Sequence, residues 1–207
     1  MQGDTRRYAL IALIVFILSE SVFSLLSLLT RGQSYTCIAF TNAIATIFVR
    51  WIPPFLIVFH IEKRGIKSLG LIVPREKYIT YAILAMTGII LPALLVGYDS
   101  YMPVEFLEQV VYIGLLEEFF YRGYLQRRFC DWLGDLKGLF LISCIFGLGH
   151  IISRIADHGF GFFYQGTIAG GQAFLGGLIF GYIYLKTKNI WPSAILHISS
   201  NMYFGRI

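Results

Sequence analysis

Seven ionisable side chains stand inside long apolar runs of this 207-residue sequence, where charged groups are costly. Asn201 is tied to the last of them by its spacing, so the set is Glu20, Arg50, Glu117, Glu118, Arg122, His150, His197 and Asn201. Ionisable residues in a lipid-embedded helix usually face the interior of the bundle and mark functional positions. We therefore expect the chemistry of the protein among these residues.

Two adjacent glutamates have different expected surroundings. Glu118 and Arg122 are spaced i and i+4, which brings their side chains close enough on one helix to form a charge-neutralising pair. Glu117 is rotated from its neighbour by about 100° and can face the bundle interior as the less compensated carboxylate. Such a carboxylate can take a proton from water and later give it to a leaving amine.

Two histidines are each four residues from another residue of interest, a spacing that places both side chains on one helical face. His150 follows Phe146 at i+4, and Asn201 follows His197 at i+4. An imidazole and a carboxamide on one helical face are donors that could hold an oxyanion when a carbonyl is attacked. Counted from the inner ends of their spans at about 1.5 Å per residue, Glu117, His150 and His197 lie at similar depths. This coincidence predicts a single intramembrane site.

The elements that position these residues are apolar runs of transmembrane length. Hydrophobic residues make up 57% of the sequence and charged residues only 14%, where about 25% is typical of soluble domains. The pattern predicts an all-α membrane bundle of one domain, residues 1–207, with about seven spans at residues 8–29, 37–61, 78–98, 104–126, 138–152, 167–185 and 190–204. Pro53 and Pro54 interrupt the second run and can kink or split it, which would make eight.

The distribution of Lys and Arg predicts the orientation of the bundle. With the N-terminus in the cytoplasm, the inner segments hold Arg6, Arg7, Lys63, Arg64, Lys67, Arg75, Lys77, Arg127, Arg128, Lys137, Lys186 and Lys188. The outer segments hold Arg31, Arg154 and Arg206. This asymmetry favours a cytoplasmic N-terminus, and the cell membrane if the host is prokaryotic. It also explains the net charge of +5 without a nucleic-acid partner.

The remaining polar, cysteine and glycine residues have structural interpretations. Glu20 and Arg50 are predicted to pair across the first two helices, and this structural role is favoured over contact with a substrate. The three cysteines, Cys37, Cys130 and Cys144, are odd in number and lack CxxC spacing, so we expect neither a disulfide framework nor a structural zinc site. The small residues of the sixth span are typical of close helix packing in lipid, and include Gly166, Gly170, Gly177 and Gly181.

Three motifs occur in order on the fourth, fifth and seventh apolar spans: Glu117-Glu118-x-x-x-Arg122, Phe146-x-x-x-His150 and His197-x-x-x-Asn201. Together they closely resemble the CPBP family, the CAAX prenyl endoprotease and bacteriocin-processing proteins, also called Abi. The likeness covers about residues 104–204. It implies a helical bundle around a polar cavity and an endopeptidase that hydrolyses CAAX-type prenyl protein C-termini or other membrane-associated peptides.

The resemblance also implies a role for each motif residue. Glu117 and His150 would activate the attacking water, His197 and Asn201 would stabilise the oxyanion, and Glu118 and Arg122 would support the site. The expected partners are a peptide or protein substrate, prenylated or not, and the lipid bilayer. One carboxylate with two histidines could bind zinc, but HExxH is absent, so we expect no metal and no cofactor.

Two other functions remain open from the sequence. A protein of the same family could serve as a non-proteolytic membrane immunity or scaffolding factor, although a scaffold would not need Glu117. A proton-coupled transporter could use mid-membrane glutamate and histidine as a relay.

Overall fold

The fold is helical throughout the part of the chain that the structure describes. The computed structural model describes residues 2–30, 32–96, 102–111 and 113–204, and these contain no β-strand. The expected all-α fold is therefore confirmed. Arg31, Tyr98 and Arg206, which the predicted topology uses, lie outside the described residues.

The described residues form ten α-helices joined by short turns and π-helical segments. The helices are α1 Gln2–Leu29, α2 Tyr35–Thr46, α3 Ile52–Leu56, α4 Tyr78–Val96, α5 Met102–Val111, α6 Gly114–Glu117, α7 Arg127–Leu133, α8 Asp135–His158, α9 Phe163–Thr187 and α10 Trp191–Phe204. The π-helical segments are Ile47–Trp51, Ile57–Ile61 and Glu118–Gln126, and the 3₁₀ turns are Ile66–Leu69, Arg75–Lys77 and Phe160–Phe162.

Four helices of the described residues are long and apolar enough to cross a membrane. They are Asp4–Leu29, Phe40–Ile61, Asp135–His158 and Phe160–Thr187, which correspond to the first, second, fifth and sixth predicted spans. Many of their large apolar side chains are exposed, as lipid-facing residues would be. These features fit an integral membrane protein, and the total of seven spans stays a prediction.

The fourth predicted span, residues 104–126, is wrong as a single helix. Helix α5 ends at Val111, and α6 begins at Gly114 after the non-helical backbone of Ile113. The helix that carries the glutamates then continues to Leu133 through a π-helical segment and α7. A Cβ atom on Gly114 would lie 2.7 Å from Cγ1 of Ile198, so the new helix starts in close contact with α10. The hydropathy pattern did not predict this break because the residues on both sides of it are apolar.

Pro53 and Pro54 do not split the second predicted span, which is helical from Tyr35 to Ile61. The π-helical segment Ile47–Trp51 precedes them, and the Ile52 N–H donates to the Ile47 carbonyl five residues back. The prolines then occupy the first turn of α3, where a missing N–H costs least. A wider helical turn therefore occurs where a helix break was expected. The structure does not support the alternative topology with eight spans.

Helices α8 and α9 pack closely through glycines. A Cβ atom on Gly170 would lie 2.5 Å from Cγ1 of Ile151 and 2.8 Å from the carbonyl oxygen of Gly147, distances too short for real contacts. Added Cβ atoms on Gly177 and Gly181 would also meet α8 atoms at 3.1 Å or less. The predicted packing role of the sixth-span glycines is confirmed here, and this packing fixes α8 beside the site.

The packing predicts that substitutions at two adjacent glycines have different effects on the stability of the protein. We expect Gly170→Val to lower the free energy of unfolding by about 1–3 kcal/mol, because its side chain would force α8 and α9 apart. The matched control is Gly171→Val, since a Cβ atom on Gly171 meets nothing within 4 Å. Unfolding of both variants in mixed detergent micelles measures the difference. Equal stability of the two would contradict this packing.

Candidate active site

The π-helical segment Glu118–Gln126 forms the centre of the core. Each of its nine residues is buried, including the large apolar side chains Phe119, Phe120 and Leu125. π-Helical turns are rare and often occur at functional sites, because they change the direction of side chains relative to a regular α-helix. The glutamate motif therefore lies where regular helix gives way to this wider form.

Arg128 supports the end of that segment. Its Nη1 donates to the carbonyl oxygens of Gly123 and Tyr124, at 2.8 and 3.2 Å. Its Nε and Nη2 donate to the two carboxylate oxygens of Glu62, at 3.0 and 2.9 Å. Both side chains are fully buried, so the bidentate pair ties the end of the second long helix to the helix that carries the glutamates.

A buried charge cluster surrounds Glu118. Its Oε2 lies 3.3 Å from Nε of Arg122, which confirms the predicted ion pair, and its Oε1 lies 3.0 Å from Nδ1 of His197. The guanidinium carbon of Arg122 lies 4.5 Å from the ring centroid of Phe146, a cation–π distance. Because a carboxylate can only accept, Nδ1 of His197 carries the hydrogen of this bond.

Glu117 diverges from Glu118, as rotation along the helix predicts. Its side chain is 17% exposed, whereas that of Glu118 is fully buried. Its Oε2 lies 3.8 Å from Nε2 of His197, so one histidine ring stands between the two glutamates. The ring of Phe180 stacks on His197 at 4.7 Å between centroids and fixes its plane.

His150 is held by the backbone of its own helix. Its Nδ1 lies 2.9 Å from the carbonyl oxygen of Phe146, four residues earlier. A carbonyl oxygen can only accept, so Nδ1 carries a hydrogen, and Nε2 of the neutral ring has a free lone pair. The ring also contacts the edge of Phe146 at 4.6 Å between centroids. His150 thus presents one basic nitrogen in a fixed orientation.

Glu117 and His150 line the same cavity, which we call the polar cavity. Its volume is about 200 Å³, and its lining residues are Glu20, Phe23, Ser24, Ser27, Asn42, Arg50, Glu117, Tyr121, Gly149, His150, Ser153, Ala156 and Asp157. Within this lining the Ser27 hydroxyl donates to Asp157. A carboxylate and a histidine nitrogen that line the same polar cavity can bind and activate a water molecule.

The other predicted site residues lie outside the lining of this cavity. His197, Glu118 and Arg122 form the buried cluster behind Glu117. Asn201 lies one turn further along α10, where its Nδ2 donates to Oε1 of Gln109 on α5 at 2.8 Å. Sequence reasoning missed Gln109, and the only available signal was a polar residue within an apolar run.

The N-terminal helices contribute to the polar cavity as well. Nη2 of Arg50 lies 2.6 Å from Oε1 of Glu20, so the predicted pair between the first two helices is confirmed. The Tyr121 hydroxyl lies 3.5 Å from the same carboxylate oxygen. The motifs gave no signal that these residues share a cavity with Glu117.

A second cavity, which we call the apolar cavity, lies between α4, α5, α6 and α10. Its volume is about 450 Å³, and it is lined by Val73, Tyr78, Tyr81, Ala85, Gly88, Phe106, Val110, Leu115, Trp191, Ala194, Ile195, Ile198 and Ser199. Leu115 is two residues from Glu117, and Ile198 is adjacent to His197. The apolar cavity therefore borders the helices that carry the candidate site.

Potential metal ligands and cysteine thiols can be located among the described residues. Within them, no group of three or more His, Cys, Asp or Glu side chains is arranged to hold a metal ion. The three cysteines are free thiols, as expected. Burial, with a smaller contribution from Asp135, raises the pKa of the Cys130 thiol to about 12, so this thiol stays protonated at neutral pH.

Comparison with known proteins identifies the family. A family model described as type II CAAX prenyl endopeptidase Rce1-like matches residues 99–203, which contain all six predicted catalytic and supporting residues. No curated protein and no solved structure matches the chain. Since the match covers half of the sequence, the chain belongs to the Rce1-like family, and the resemblance to the CPBP proteins is confirmed.

Proposed function

We propose that this protein is an intramembrane endopeptidase. It would hydrolyse peptide bonds of membrane-associated substrates, either CAAX-type prenyl protein C-termini or other peptides. The observation that carries this proposal is the polar cavity lined by both Glu117 and His150 within a helical bundle. The Rce1-like family, which is described by its CAAX prenyl endopeptidase activity, supports the same reaction class.

Glu117 acts as the general base in this proposal. It takes a proton from a water molecule, the remaining hydroxyl group bonds to the peptide carbonyl carbon, and the carbonyl π electrons move onto the oxygen. His150 accepts a hydrogen bond at Nε2 and orients that water, because its Nδ1 is already bonded to the backbone. When the C–N bond breaks, the proton held by Glu117 moves to the leaving nitrogen.

His197 and Asn201 stabilise the oxyanion in this proposal. In this role Nδ1 of His197 donates to Glu118, and Nε2, which lies on the side of Glu117, donates to the oxyanion. Asn201 uses one amide hydrogen for Gln109 and retains a second. Glu118 and Arg122 support the site by holding the histidine. These roles require no metal ion, and we propose that none is needed.

The apolar cavity is our proposed location for the isoprenoid of a prenylated substrate. Its volume of about 450 Å³ falls in the range of roughly 300–1,000 Å³ typical of ligand pockets. Its lining is almost wholly apolar, and it borders the helices of Glu117 and His197. An isoprenoid bound there would leave the peptide close to the polar groups of the site.

Filling the apolar cavity should reduce the preference for prenylated peptides. We expect Ala85→Phe to lower the ratio of hydrolysis rates for a farnesylated peptide and its unprenylated control by about tenfold. The reason is that about two methylene groups of the isoprenoid would lose their contacts with the cavity. Ala82→Phe is the matched control, because Ala82 is exposed and does not line the cavity. An unchanged ratio in Ala85→Phe would contradict the assignment of this cavity.

We also propose that the N-terminus lies in the cytoplasm and, in a prokaryotic host, that the protein lies in the cell membrane. Four helices with the length and apolarity of membrane spans support a membrane location. The concentration of Lys and Arg in alternate connecting segments supports the orientation.

A further inference from the structure

Arg50 brings a positive charge from the N-terminal half of the chain into the polar cavity. It lies in the π-helical segment Ile47–Trp51, outside residues 99–203 that match the family. The sequence favours charge pairing of Arg50 with Glu20 across two helices over a contact with substrate. Charge balance alone does not require this pair to line the same cavity as Glu117 and His150.

The guanidinium group of Arg50 is held in a fixed position. Its Nη2 lies 2.6 Å from Oε1 of Glu20, and its Nε donates to Oγ of Ser19 at 3.2 Å. Its central carbon lies 4.3 Å from the ring centroid of Phe23, so the planar group also stacks on an aromatic face. Such constraints reduce the conformational entropy that a ligand-binding side chain would otherwise lose.

One amino group of Arg50 is available to a ligand. Arginine has five N–H donors, and the hydrogen bonds to Ser19 and Glu20 use only Nε and Nη2. Nη1 makes no hydrogen bond to the part of the chain that the structure describes. The Arg50 side chain is also more exposed than that of Arg122, whose exposed fraction is 1%. The side chain of Arg50 is 12% exposed and lines the cavity.

The charges around the cavity select the kind of oxygen that Arg50 can bind. Besides Arg50, the formally charged lining residues are Glu20, Glu117 and Asp157, all of them acidic. A free carboxylate would enter a region with an excess of negative charge. A neutral carbonyl oxygen avoids this repulsion and still accepts a charge-assisted hydrogen bond.

We propose that Arg50 is a substrate-binding residue whose Nη1 donates a hydrogen bond to a main-chain carbonyl oxygen of the peptide in the polar cavity. This inference rests on the proposed function, since it takes the ligand to be a peptide. Glu20 is then a positioning residue that aims the guanidinium. The N-terminal helices thereby form one wall of the substrate site, which the family motifs alone do not include.

The test is peptide binding in a variant that does not hydrolyse its ligand. A fluorescent farnesylated CAAX peptide is titrated onto Glu117→Gln protein in lipid nanodiscs, with and without Arg50→Gln and with Glu20→Gln plus Arg50→Gln. Loss of one charge-assisted hydrogen bond predicts binding about 10- to 100-fold weaker with Arg50→Gln. The neutral double substitution should remain equally weak. Arg154→Gln, an exposed cation on α8 outside the cavity, is the control.

Each outcome supports or overturns the inference. If Arg50 only balances Glu20, removing both charges restores binding, which would overturn the proposed contact. Arg50→Gln alone leaves the charge of Glu20 uncompensated. If this single variant fails to fold, peptide binding by the neutral double variant and by Arg50→Lys decides the question. Arg50-dependent binding without hydrolysis by the wild type would support the contact and contradict the proposed function. Hydrolysis by the wild type, together with binding that does not depend on Arg50, would support the proposed function and contradict the contact. Absence of binding would contradict both the contact and the proposed function.

Discussion

We expect the Glu117→Gln variant to keep its fold but to hydrolyse peptides about 10²–10⁴ times more slowly than the wild type. A glutamine amide cannot take a proton from water, so the attacking hydroxyl group does not form. The fold should survive because Glu117 is partly exposed and its Oε2 lies as far as 3.8 Å from Nε2 of His197. Initial rates on a farnesylated CAAX peptide in liposomes, followed by mass spectrometry, measure the loss.

Two comparisons separate this effect from a general loss of structure. Glu76→Gln removes an exposed carboxylate from the turn before α4 and should leave the rate unchanged. The thermal unfolding of Glu117→Gln should match that of the wild type. A Glu117→Gln protein that hydrolyses the peptide at the wild-type rate would be incompatible with its role as the base.

Arg122→Met should lower the free energy of unfolding by about 3–5 kcal/mol, a larger loss than that expected for Gly170→Val. Glu118 is fully buried, and its partners are Arg122 at 3.3 Å and His197 at 3.0 Å. Removing Arg122 leaves a buried carboxylate without its permanent cation, and also removes the contact with the Phe146 ring. Unfolding by sodium dodecyl sulfate in mixed micelles gives the free energy.

A neutral double variant tests the electrostatic origin of that loss. Glu118→Gln together with Arg122→Met should be more stable than Arg122→Met alone, since no unpaired charge then stays buried. Arg127→Gln is the surface control, because its pair with Asp131 is partly exposed and should contribute only about 0–1 kcal/mol. A double variant no more stable than Arg122→Met would assign the loss to packing instead of charge.

Helical rotation and residue spacing predicted individual contacts around the candidate site, because both depend only on local geometry. The divergence of Glu117 from Glu118 follows from about 100° per residue, and the pairing of Glu118 with Arg122 follows from their spacing. The cost of charge in lipid indicated the Glu20–Arg50 pair before its distance of 2.6 Å was known. The shared depth of Glu117 and His150 matches their shared cavity.

The features that the sequence did not predict depend on tertiary contacts. The π-helical form of Glu118–Gln126 has no periodic signal in an almost wholly buried segment. The break at Ile113 falls among apolar residues and reflects the contact of Gly114 with α10. The bond from Asn201 to Gln109 joins two helices 92 residues apart in sequence, and no local pattern specifies it.

Hydrolysis of a farnesylated CAAX peptide by the purified protein in lipid, with and without a metal chelator, tests the proposed glutamate mechanism. We expect the wild type to release the C-terminal fragment at the same rate with and without chelator, and Glu117→Gln to release almost none. Release that stops with chelator and returns on addition of zinc would contradict a metal-independent glutamate mechanism. Equal release by wild type and Glu117→Gln would contradict the assignment of the base.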